Sequence, residues 1–68
     1  MAVAKIIELV GSSRTSSDDA VQQALEEARK SLRNISGVDL VSVGLRGDNL
    51  DEWRAQVRIG FIVESVGE

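Results

Sequence analysis

Apolar positions along the chain change period three times, and each change predicts a new element. Val3, Ile6, Ile7, Leu9 and Val10 form a run rich in β-branched side chains, which suits a pleated, half-buried strand. Gly11 interrupts that run, and the pattern predicts that the backbone leaves the sheet there through angles a larger residue resists. From Asp18 to Asn34 the spacing becomes helical: Val21, Ala24, Leu25, Ala28 and Leu32 form one apolar stripe. Gln22, Glu26, Arg29, Lys30 and Arg33 fall largely opposite, with Glu26 set to reach Lys30 one turn on. From Val38 to Leu45 the chain turns β again, with apolar residues on both faces. The clearest strand follows. Trp53, Ala55, Val57, Ile59, Phe61 and Val63 alternate with Arg54, Gln56, Arg58, Gly60 and Ile62.

The junctions support this order. Thr15 with Asp18, or Ser16 with Asp19, makes a box-like helix cap that uses Asp where Glu or Gln is usual. Asn34, Ser36 and Gly37 close the helix. The polar link from Gly47 to Glu52 is short, so the last two strands form an antiparallel hairpin. The predicted fold is therefore α+β, in the order β-α-β-β, with a three-stranded antiparallel sheet and one helix. One helix covers one face of such a sheet. The other face must meet water, a ligand or another subunit.

Sixty-eight residues are read as one domain over 1–68. A chain this short buries a small share of its surface and ordinarily needs a staple. Cys and His are both absent, which removes disulfides, thiolate sites and the commonest zinc ligand. Oligomerisation is the ordinary remaining solution. Eight basic against eleven acidic residues give a net charge of −3, without the basic face of a nucleic-acid binder. Lys5, Arg14, Arg46, Arg54 and Arg58 are scattered, and Arg29, Lys30 and Arg33 complement a helix C-terminus. No apolar run reaches membrane-spanning length and residues 1–10 lack signal-peptide character, so a soluble cytoplasmic protein is expected. With no His, Cys or Tyr and no evident acid–base pair, the expectation is a protein without enzymatic activity.

Three groups of residues carry candidate chemistry. Asp48, Asn49, Asp51 and Glu52 offer hard oxygen donors within five residues, the ligand type calcium takes, although a solvated turn has the same composition. Asp18 and Asp19 are explained by helix capping. Arg54 and Arg58 share a face with Gln56, where they would hold an anion bidentately or make salt bridges between subunits. Trp53 is the one large aromatic able to stack on a ligand, and as a packing residue it would lie beside Val57 and Ile59.

In this order the chain resembles the dodecins, small proteins whose sheet partly wraps a single helix and which assemble as hollow homododecamers. The resemblance is carried by Lys5 through Ser13, Asp19 through Ala24, Ala28 through Asn34, and Trp53 through Phe61. It implies a self-assembled shell holding a small ligand or divalent cation. Many dodecins stack flavins between tryptophans just after the helix and bind the ring edge through a glutamine following an aromatic on the last strand. The matching positions here are Gly37 and Arg54, the latter after Trp53, so both flavin determinants are replaced. Some dodecins that lack the flavin tryptophan bind calcium. The resemblance to that branch favours calcium, with Asp48, Asp51 and Glu52 as candidate ligands. A flavin-storing dodecin and a purely structural oligomer are the alternative readings.

Overall fold

The computed structural model describes residues 2–64, in the order β1 (Ala2–Ser13), α1 (Ser17–Arg29), β2 (Ile35–Arg46) and β3 (Glu52–Glu64). Residue 1 and residues 65–68 of the expected 1–68 domain lie outside that description. The sheet is antiparallel throughout in the order β1-β3-β2, so the last strand is the central one. Its strict alternation fits that place. Ala55, Val57 and Ile59 are fully buried under the helix, while Arg54 and Arg58 stay exposed on the opposite face. The pairs Ile7↔Ile59, Leu9↔Val57 and Gly11↔Ala55 extend the helix-facing rows into β1. Val38↔Ile59 and Leu40↔Val57 extend them into β2, whose register shifts after Ile35 and again after Leu40. Such irregularities bend a strand and help a narrow sheet curve around a helix.

Gly11 acts differently from its sequence reading. β1 continues through it to Ser13, and the glycine is required by close approach of the helix. A Cβ at Gly11 would overlap the Ala20 carbonyl oxygen and stand 3.0 Å from the Ala24 nitrogen. The chain leaves the sheet two residues later. There the Ser13 hydroxyl accepts from Thr15 N at 2.9 Å and donates to Asp19 Oδ2 at 2.6 Å. Ser16 is the N-cap, its Oγ accepting from Asp19 N at 3.0 Å. Half of the Ser16–Asp19 capping box is thus realised, and the Asp19 carboxylate goes to Ser13 instead of back to the cap.

The helix is shorter than its periodicity predicts. It ends at Arg29 with Lys30 as C-cap, and Leu32 reaches the core from the turn beyond, its N–H still donating to Ala28 O at 2.9 Å. Asn34, at φ 59°, turns the chain into β2, a left-handed conformation Asn tolerates better than most residues. Ser36 and Gly37 then belong to the strand and do not close the helix. The buried line is Ala20, Ala24 and Ala28, with Val21 and Leu32 packed beside it and Leu25 only half-buried. Short side chains at 20, 24 and 28 let the helix sit close over Gly11, which turns the stripe away from Leu25. Acid–base contacts on the exposed side are Glu26–Arg29 at 3.3 Å and Glu27–Lys30 at 3.4 Å. The expected Glu26–Lys30 pair does not form, since Glu26 meets Arg29 and Lys30 meets Glu27.

Among the described residues the core of one chain is small: four alanines, Val57 and Ile59. The molecule is correspondingly extended. Its radius of gyration is 14.2 Å, where a compact chain of this length would have about 11 Å. Its accessible surface is 4973 Å², against about 4,200 Å² for a globular monomer of this mass. Ile6, Val10, Leu40, Val41, Val43 and Leu45 are among the exposed apolar residues, and all of them lie on the two edge strands. Among the described residues, no helix is long and apolar enough to cross a membrane.

Candidate functional site

Alternation on β3 presents Arg54, Gln56 and Arg58 in a row on the face without a helix. β1 places Glu8 opposite Arg58, Val10 opposite Gln56 and Ser12 opposite Arg54. β2 places Ser42 opposite Gln56 and Gly44 opposite Arg54. A polar chain crosses all three strands. Arg58 Nε donates to Glu8 Oε2 at 2.8 Å, Gln56 Nε2 donates to Glu8 Oε1 at 3.3 Å, and Ser42 Oγ donates to Gln56 Oε1 at 3.4 Å. The Arg58 hydrogen bond holds the Glu8 carboxyl below its ordinary pKa, against a smaller opposing effect of desolvation. Beside this network lies a cleft of about 370 Å³ bounded by Val10, Ser42, Gly44, Arg46, Arg54 and Gln56.

A second cleft, of about 510 Å³, opens where the chain passes from α1 into β2, between Leu25, Leu32, Ile35, Gly37 and Val38. Gly37 leaves open space: a Cβ there would meet nothing within 4 Å. Gly37 pairs with Gly60 and Gly44 pairs with Arg54, so Gly37 and Arg54 stand six residues apart along β3, about 20 Å at strand rise. One chain does not bring these two positions together. Trp53 lies on the other face, opposite Ser13 and Leu45, half-buried against the core. That is the packing role, and it keeps the indole away from Arg54. The residues present do not fit a stacked flavin of the usual kind. Gly37 supplies no ring, and the Arg54 guanidinium only donates hydrogen bonds where a glutamine amide both donates and accepts.

The acidic turn is ordered by a hydrogen bond from Leu50 N to Gly47 O at 3.0 Å, with Gly47 at φ 96° and Leu50 at φ 52°. Asp48 and Asp51 are exposed in it, and Glu52 opens β3 with Oε1 3.7 Å from Arg54 Nη2. Among the described residues, no three His, Cys, Asp or Glu side chains are placed to hold a metal. Asp48, Asp51 and Glu52 therefore do not form a complete cation site within one chain. Arg46, read from the sequence only as one of the scattered cations, also lines the smaller cleft. Its signal was available, because an arginine two positions after a glycine in a strand shares the glycine's face.

No curated protein matches the chain by sequence. Among solved structures, an arginine-to-alanine variant of Thermus thermophilus dodecin is 33% identical, with 96% of this chain and 100% of that chain covered and a TM-score of 0.86. A dodecin from Streptomyces coelicolor is 27% identical over 94% of both chains, with a TM-score of 0.84. The calcium-chelating calcium dodecin of Mycobacterium tuberculosis shares the fold at 24% identity, over 97% of both chains, with a TM-score of 0.81. The dodecin family model matches residues 3–64. With the β-α-β-β order and a central last strand already in place, that match makes the chain a member of the dodecin family.

Proposed function

We propose that twelve copies assemble into a hollow shell that binds, stores or buffers a small ligand or cation, with the helices outward and the free sheet face lining the interior. One observation carries this reading. The single chain exposes about 800 Å² more surface than a globular monomer of its mass, and it exposes apolar side chains along both edge strands. Unpaired, apolar edges of this length are covered in natural proteins. The absence of cysteine suits a reducing cytoplasm.

Calcium is the favoured cation. Gly37 and Arg54 stand where the family's flavin tryptophan and glutamine would be, and the Mycobacterium tuberculosis relative chelates calcium. Among the described residues, Asp48 and Asp51 take part in no ion pair. Symmetry would bring such turns from neighbouring subunits together, so a shared site can be complete where one chain's is not. The second reading is flavin storage, favoured by the roomy cleft beside Gly37.

Visible absorbance and metal analysis of the purified protein separate the two. Titration with riboflavin and FMN should show weak or no binding, and Gly37→Trp combined with Arg54→Gln should raise flavin affinity. Submicromolar flavin binding by the unmodified protein would replace the cation reading with the flavin one.

A further inference from the structure

Leu50 breaks two local rules at once. It stands in the turn between β2 and β3 at φ 52°, a left-handed conformation that Gly or Asn adopts readily and a bulky apolar residue resists. Its side chain is also 62% exposed. A turn that only reversed the chain would carry glycine or asparagine there. Such a conflict between local preference and observed conformation points to a role outside the turn.

The far end of the sheet offers the complementary shape. The cleft of about 510 Å³ where α1 passes into β2 has Leu32, Ile35 and Val38 among its walls, each only half-buried. Charge is complementary as well. Asp48 and Asp51, beside Leu50, are exposed and take part in no ion pair among the described residues. At the cleft, Glu26 and Glu27 engage Arg29 and Lys30. Arg33, between the lining residues Leu32 and Asn34, is exposed and likewise joins no ion pair among the described residues. One chain cannot bring its own turn to its own cleft. The pairs Leu45↔Trp53 near the turn and Ile35↔Phe61 at the cleft stand eight residues apart on β3, about 26 Å at strand rise.

We propose that Leu50 of one chain seats in this cleft of a second copy, an apolar knob in an apolar hole, with the turn acids drawn toward Arg33. Burial against the partner's apolar walls offsets the cost of exposing the leucine and of its backbone angle. The acids steer the approach and the leucine makes the contact, so Asp48 and Asp51 stay at the rim, open to a cation. The inference rests on the assembly proposed above and names a contact that builds it.

A chain without cysteine lets this contact be read directly. Leu50→Cys combined with Gly37→Cys places one thiol at the turn and one in the cleft, where a side chain at 37 meets nothing within 4 Å. Disulfides need Cα atoms closer than about 7 Å. Oxidation of the double variant should therefore link chains on a non-reducing gel, while each single variant stays unlinked. Leu50→Gly gives a second reading. Glycine accepts φ 52° without strain, so a residue that served only the turn would leave assembly unchanged or firmer. The contact predicts instead that the concentration needed for assembly rises about tenfold or more, the worth of burying a leucine side chain. No links in the double variant, equal linking by Leu50→Cys alone, or undiminished assembly of Leu50→Gly would overturn the contact. Light scattering on the same samples separates the two levels. A twelve-chain mass without links removes the contact and leaves the shell. Links within a smaller assembly keep the contact and remove the shell.

Discussion

Gly11 of β1 lies directly beneath Ala20 of α1, so close that a methyl group on Gly11 would occupy the space of the Ala20 carbonyl oxygen. This contact sets the helix height over the sheet, and the alanines at 20, 24 and 28 keep that height along three turns. Backbone atoms cannot swing aside as the end of a side chain can. Gly11→Ala should therefore destabilise by about 3 kcal/mol, at the upper end of overpacking costs. Gly37→Ala, into open space, should change stability by less than about 0.5 kcal/mol. Urea unfolding of the two variants checks the contrast, and equal midpoints would contradict the close approach.

The rotated helix face gives a second contrast. Ile59 is fully buried in the centre of the sheet, and Ile59→Ala should cost about 2–5 kcal/mol. Leu25 is only half-buried and stands outside the core cluster. Leu25→Ala should cost clearly less than Ile59→Ala in the same denaturant series. A larger loss at Leu25 would show that assembly, and not the single chain, buries that face.

Acid should act on the strand-crossing network. Glu8 titrates below its ordinary range because Arg58 hydrogen-bonds its charged form. Its folded pKa is depressed, so its contribution to stability is fully present above the unfolded value and is lost as pH falls through the folded one. NMR titration of the Glu8 carboxyl should show the low midpoint, and Arg58→Gln should raise it. A midpoint unmoved by that substitution would remove Arg58 as the cause.

Much of this fold was legible in the chain, because periodicity depends on local positions. The alternation from Trp53 to Val63, the short link at 47–52 and the Ser16 cap all appear where the pattern places them. What stayed hidden depends on long-range contacts. Gly11 looked like a strand end because Ser12 and Ser13 are small and polar, yet pairing with Arg54 and Trp53 keeps them in the sheet. The helix ran too long on paper because Leu32 keeps the apolar period, although it reaches the core from a turn. At the site, Arg54 was visible as one member of a face. Its place opposite Gly44, and that of Arg46 opposite Glu52, follow from the β2 register, which shifts after Leu40 and which no local pattern announces.

Calcium binding has its own readout. Asp48 and Asp51 are exposed, like-charged and three residues apart in the turn, so a divalent ion shared between subunits should relieve their repulsion and raise the melting temperature. Calorimetry on wild type and on Asp48→Asn with Asp51→Asn tests it. No heat at millimolar calcium would remove the metal function, and equal binding in both proteins would move the site away from this turn.

The assembly itself is the most direct test of the account, since both the shell and its ligand depend on it. Light scattering coupled to size exclusion, at micromolar protein, reads the mass without any ligand. Twelve chains of 7.3 kDa predict a single species of about 88 kDa, in line with a chain whose apolar edges need partners to cover them. A stable monomer or dimer at that concentration would contradict it.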